Sequence, residues 1–154
     1  MSKKSAGLLI YRVREAGIEV LLVHPGGPFW KNKDTAAWSI PKGEFTEEEP
    51  LSAAIREVKE EIGLLATGKF LELTPIKQKS GKIVYAWAYE SDFDPQTLCS
   101  NTFTMEWPPR SGKIIEIPEV DKAAWFSLEE AGIKINAGQI LILHEFKLKY
   151  KAKD

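Results

Sequence analysis

Cysteine is almost absent from this chain. Cys99 stands alone among 154 residues, which excludes an intramolecular disulfide and any cysteine-built metal site. Long apolar runs are missing as well: none approaches the roughly 18 residues of a membrane span. Nor is there an excess of either charge. Twenty-one Lys and Arg face 22 Asp and Glu, for a formal net charge of -1, so the basic footprint of a nucleic-acid-binding domain is lacking. The only basic block, Lys147, Lys149, Lys151 and Lys153, reads as a solvated helix end, where cations suit the dipole. Internal repeats and low-complexity linkers are absent too. What is present is ordinary for a globular protein: 44% hydrophobic and 28% charged residues. One domain over 1–154 is expected, large enough to bury a core without disulfides or metal staples. The opening MSKKSAGLLIYRV reads as a first strand, because its apolar patch is short and is broken by Arg12 and Arg14. A cytoplasmic location follows as the default expectation, with no membrane and no nucleic-acid polymer as partner.

Residues 5–13 and 18–24 are apolar and β-branched around Glu15-Ala16-Gly17, a hairpin signal. Pro25-Gly26-Gly27-Pro28 is a loop leading to Phe29 and Trp30. Ala37 to Ile40 is a short strand candidate ended by Pro41. A helix follows over about 50–62: Pro50 suits its first turn, and Gly63 its C-terminal cap. Leu51, Ile55, Val58 and Ile62 mark its apolar stripe. Residues 69–79 and 82–90 form a second hairpin signal around Ser80-Gly81. Strands are expected near Phe103–Trp107, Lys113–Ile117 and Ala123–Phe126. Ser127 to Glu130 has capping-box spacing, and Asn136 is placed to cap a last helix over about 137–149. Hairpin strands interrupted by helices predict an α+β class, a mixed β-sheet covered by helices. The last helix, with Ile140, Leu141, Leu143, Phe146 and Leu148, is apolar on more than one side, which fits deep burial in a monomer or a homodimer contact.

The helix at 50–62 carries an electrostatic anomaly. Glu57 and Glu61 are four residues apart and Glu57 and Glu60 three apart, so like charges are neighbours and repel. By angular position, Glu57 and Glu61 edge the apolar stripe and Glu60 lies further round. A cluster this close raises its own pKa values unless a cation neutralises it. Oxygen-only ligands suit Mg²⁺ or Mn²⁺, which keep open positions for waters and phosphates. The alternative is a plain solvated acidic face.

The frame around these residues resembles the Nudix box: Gly, five residues, Glu, seven residues, then Arg-Glu-hydrophobic-any-Glu-Glu-any-Gly-hydrophobic. Arg56-Glu57-Val58-Lys59-Glu60-Glu61-Ile62-Gly63-Leu64 matches its second half throughout. Ser5-Ala6-Gly7, Trp38 to Glu44, Ala124-Trp125-Phe126 and Glu129-Glu130-Ala131 also look like Nudix hydrolases, so the resemblance spans most of the chain. One departure stands out: the span from Gly43 to Arg56 is a residue short. A loop absorbs a deletion more easily than a helix, where one residue rotates the face by about 100°. Glu48, which keeps the spacing to Arg56, is therefore preferred over Glu49 as the family's first glutamate.

The resemblance implies an α/β/α sandwich and metal-dependent hydrolysis of a nucleoside diphosphate linked to another group. It implies Glu57, Glu60 and Glu61 as metal ligands, joined by a backbone oxygen of Lys42 or Gly43. Arg56 would pair with Glu48 and orient Glu57. The general base is Glu57 or a glutamate outside the box, for which Glu116 and Glu119 are placed. Trp38 to Glu44 looks like members that act on dinucleoside polyphosphates, with Lys42 reaching a phosphate. Further basic candidates are Lys31, Lys33, Lys77, Lys79 and Arg110. Trp30, Tyr85 and Trp87 are candidates for stacking on a base, although core packing suits at least two of them. His24 fits a hydrogen-bonded structural place better than a phosphate contact. Rival readings are clean-up of nucleoside triphosphates, nucleotide sugars or inositol pyrophosphates as substrates, and a non-catalytic nucleotide-sensing module.

Overall fold

Strand β1 (Lys4–Arg14) is buried along seven consecutive residues, the pattern of a strand covered on both faces. In the computed structural model it is the centre of a seven-stranded mixed sheet. The structure describes residues 3–153, with side chains up to residue 151. Met1, Ser2 and the Lys153 side chain of the expected basic tail lie outside the described residues. β1 pairs antiparallel with β2 (Gly17–Pro25) through the expected hairpin, and also with β3 (Lys42–Phe45). On its other side it runs parallel to β6 (Ile83–Glu90). β6 carries two short antiparallel partners, β4 (Leu71–Glu72) and β5 (Ile76–Lys77). β9 (Val120–Ser127) closes the far edge against β2. β7 (Thr102–Glu106) and β8 (Ile114–Pro118) form a separate two-stranded ribbon.

Side chains alternate across the sheet. Leu8, Ile10, Leu21 and Val23 meet α1 (Pro50–Ile62), with Ala53, Ala54, Val58 and Ile62. Leu9, Tyr11, Val20 and Leu22 meet α2 (Leu128–Lys134) and α3 (Ile140–Lys153), with Ala131, Ile142, Leu143 and Phe146. The fold is the expected α/β/α sandwich. No helix among the described residues is long and apolar enough to cross a membrane.

Three local expectations need correction. The strand over 69–79 is broken into β4 and β5. Pro75 cannot donate to a ladder, and the Thr74 N–H turns away to the Glu145 carboxylate at 2.7 Å. Ala37–Ile40 makes only isolated bridges, Ser39 to Val23 and Trp38 to Ile135. The buried arc of α1 is also turned from the predicted stripe. Leu51 and Ile55 are half-buried, whereas Ala53 and Ala54 are fully buried. Small alanines let the helix lie close on the sheet, and this draws Glu57 and Glu61 into the buried arc.

Candidate active site

The site starts with how α1 begins. The Glu49 carboxylate accepts from the N–H groups of Leu51 and Ser52 at 3.3 and 3.1 Å, capping the first turn. Gly63 ends the helix at φ 83°, a left-handed conformation that glycine adopts without strain. With Glu49 committed to the cap, Glu48 is left to face Arg56. Arg56 grips it through two nitrogens, Nε donating to Oε2 at 2.8 Å. Its third nitrogen donates to Glu57 at 2.8 Å and to Glu60 at 3.2 Å. Bonds to Glu48 are the main reason its guanidinium holds its proton more tightly than usual. One planar cation therefore organises three carboxylates.

Strand β3 lies beneath. Gly43 pairs with Ala6, and the Glu57 carboxylate rests against the Gly43 Cα. A Cβ at Gly43 would collide with it. One turn on, Glu61 Oε1 accepts from the backbone N–H of Lys42 at 3.3 Å. Burial pushes the Glu61 carboxyl up to about 8, with Glu119 and Glu57 adding repulsion. Burial likewise raises Glu57, although Arg56 opposes it. The Lys42 ammonium is lowered by burial and by neighbouring Lys82.

Two distant segments complete the site. At the bend between β8 and β9, the Glu119 N–H donates to Asn101 O at 2.8 Å, and its carbonyl accepts from Gly26 N–H at 3.1 Å. The carboxylate stands exposed at the rim, raised by partial burial and by Glu57 and Glu60. The Pro25–Trp30 turn, bonded to Glu119 through Gly26, supplies Trp30. Gln139, 2% exposed, forms the floor: its Oε1 accepts from Ile40 N–H at 3.1 Å, and its Nε2 donates to Ser39 Oγ at 3.0 Å. Together they enclose a cleft of about 240 Å³ lined by Trp30, Lys42, Glu61, Glu119, Asn136 and Gln139, among others.

The structure thus brings Lys42, Gly43, Glu57, Glu61 and Trp30 together. Glu60 stays on the outer side with Arg56. Other predicted residues lie elsewhere. Tyr85 packs edge-on against Phe45 under α1, with ring centres 5.8 Å apart, and Trp87 is buried in the same core. Lys79 is exposed at the tip of the β5–β6 hairpin and does not line the cleft, nor do Lys31, Lys77 and Arg110. The reason is register: Tyr85 and Trp87 point to the α1 face, while the hairpin tip lies beyond the strand ends. Lys33 stands with its ammonium 3.4 Å from the Phe29 ring centre. Of the two outside glutamates, only Glu119 lines the cleft, because Glu116 is on the exposed face of the ribbon. Gln139 belongs to no motif; its only trace in the sequence is an uncharged amide entering an apolar helix.

Among the described residues no three acidic, histidine or cysteine side chains converge as a ready-made metal cage. Glu57 and Glu60 turn to Arg56, and Glu61 turns to Lys42. The donor set nonetheless suits a hard divalent cation. It is all oxygen, and Glu61 is largely buried with Glu57 and Glu119 repelling it, so a cation would relieve an unfavourable field.

The NUDIX domain matches residues 1–146 of this chain. The chain belongs to the NUDIX family. The C. elegans Ap4A hydrolase, solved as a binary complex, is 25% identical over 97% of this chain and 98% of its own, with a TM-score of 0.65. The NUDIX domain of Shewanella oneidensis NrtR, solved with ADP ribose, shares the fold at 13% identity, 97% and 89% coverage and a TM-score of 0.66. A mutT/nudix family protein from Listeria innocua does so at 16% identity, 98% and 95% coverage and a TM-score of 0.64. No curated protein matches. This NUDIX protein is an enzyme, a pyrophosphohydrolase of nucleotide-linked substrates. Its family generally uses divalent metals.

Proposed function

We propose that this NUDIX domain is a single-domain, Mg²⁺- or Mn²⁺-dependent hydrolase of dinucleoside polyphosphates. The convergence of Glu61, Glu119, Lys42 and Trp30 on one cleft carries the reading. A phosphate-sized cation, a carboxylate pair and a flat aromatic ring are the groups such a substrate needs. The full-length likeness to a C. elegans Ap4A hydrolase supports the substrate class.

Glu57, Glu60 and Glu61 would hold the metal, with a backbone oxygen of Gly43. When bound, the ion neutralises phosphate oxygens and makes a water more acidic. Arg56 keeps Glu57 and Glu60 in place, and Glu48 keeps Arg56 in place. Lys42 offers its ammonium to a phosphate oxygen. Trp30 stacks on a base. The geometry favours Glu119 over Glu57 for accepting the water's proton. Glu57 Oε1 is already committed to Arg56, whereas the Glu119 carboxylate faces the cleft and is more basic than an ordinary one. A carboxylate matched more nearly to neutral pH is a better general base.

A panel of diadenosine polyphosphates, nucleoside triphosphates and nucleotide sugars, with products resolved chromatographically, tests this. Diadenosine tetraphosphate should turn over with Mg²⁺ and stop on addition of chelator. Inert dinucleotides beside a rapidly hydrolysed triphosphate would overturn the substrate assignment.

A further inference from the structure

His24 is 1% exposed and takes no part in the chemistry described above. Both of its ring nitrogens are engaged. Nε2 lies 2.7 Å from the backbone carbonyl of Lys33, and Nδ1 lies 3.0 Å from Asp121 Oδ1. A carbonyl oxygen only accepts, and so does an ionised carboxylate. The Nε2–H therefore donates to the Lys33 carbonyl, and Nδ1 is hydrogen-bonded to Asp121 Oδ1. The ring also packs edge-on against Trp38, with centres 5.2 Å apart.

The two groups that His24 joins belong to the segments that carry two cleft-lining residues, Trp30 and Glu119. Lys33 closes the turn that carries Trp30: its N–H donates to Trp30 O at 2.9 Å, and the Trp30 N–H donates to Gly27 O at 3.2 Å. The Lys33 ammonium lies over the Phe29 and Trp30 rings, 3.4 and 5.4 Å from their centres. Asp121 follows Glu119 by two residues on the entry to β9. Between these segments the ladder is irregular, with a register shift between His24 and Pro25. Backbone pairing ends at Pro25 and at Gly26, whose N–H donates to Glu119 O. Beyond it the Lys33 end of the turn is tied back to Asp121 by the His24 side chain, next to the Asp34 bonds to Trp38 and Lys134.

We infer that His24 is a positioning residue, a buried strut between Lys33 and Asp121 that fixes Trp30 at its distance from the Glu119 turn. It acts on substrate affinity through Trp30 and leaves the reacting groups alone. The inference rests on the cleft being the substrate site.

The test uses the intact protein and diadenosine tetraphosphate. His24→Phe keeps the ring packed on Trp38 and removes both hydrogen bonds. KM should rise about tenfold or more, with kcat within about threefold, the size expected for losing charge-assisted bonds. Asp121→Ala should behave similarly. Asp121→Asn should restore near-parental KM, because an amide N–H can donate to Nδ1 while Nε2–H still donates to Lys33. Amide hydrogen exchange at Trp30 and Lys33, measured without substrate, should quicken about tenfold in His24→Phe and Asp121→Ala. That readout separates a failed strut from a failed substrate assignment. Unchanged exchange in both variants overturns the inference. So does a fall in kcat at constant KM, or an Asp121→Asn variant no better than Asp121→Ala.

Discussion

At the scale of single residues, position separates groups of identical chemistry. Glu116 and Glu119 are three apart in sequence, yet one is on the exposed ribbon and the other on the cleft rim. Glu119→Gln should lower kcat by about 10²-fold or more, the usual contribution of a general base, and Glu116→Gln should leave it unchanged. Steady-state kinetics on the two variants checks this; equal effects would remove Glu119 from the mechanism. Glu48 and Glu49 show the same separation. One meets Arg56 and the other caps the helix, so the residue-short loop still supplies a carboxylate to each place. That outcome was legible because helix spacing is rigid and loop spacing is not.

At the scale of elements, α1 was legible from its ends: Pro50 and Gly63 act through local backbone geometry. Its rotation was less so. A pattern of large aliphatics centres the face on Leu51 and Ile55, but contact is made by Ala53 and Ala54. This close approach sets Glu57 on Gly43 and Glu61 on Lys42. Ala54→Leu should therefore cost about 1–3 kcal/mol through overpacking and also lower activity by lifting both carboxylates off β3. Denaturant titration paired with a turnover assay measures both effects. Stability lost with full activity kept would argue against α1's approach setting the site. The break between β4 and β5 was hidden for another reason: it depends on Glu145 of α3 reaching Thr74, a contact 71 residues away.

At the scale of the whole molecule, the cleft joins five separated stretches, residues 23–30, 37–42, 61, 119–120 and 136–139. No local signal in the sequence announces such a convergence, so Trp30 was visible only as one aromatic among several and Gln139 only as an amide entering an apolar helix. The convergence carries an electrostatic cost. The Glu61 carboxyl moves from an ordinary 4.5 to about 8 on folding. A raised acid binds its proton more tightly in the folded state, so the metal-free protein loses stability as pH rises from about 4.5 towards about 8. Glu61→Gln can still accept from Lys42 N–H but carries no charge. In chelator it should melt higher than the parent, by ~4 °C or more near pH 8, with the gain vanishing at acid pH. A thermal melt series across pH reads this directly, and a gain independent of pH would contradict it.

The same substitution bears on what the site does. The most direct measurement is the turnover of diadenosine tetraphosphate at saturating Mg²⁺ by Glu57→Gln and Glu61→Gln, with folding checked by circular dichroism. Each should fall by ~100-fold or more while the spectrum stays intact. Turnover near the parental rate in both variants would contradict the placement of hydrolysis at α1 and β3.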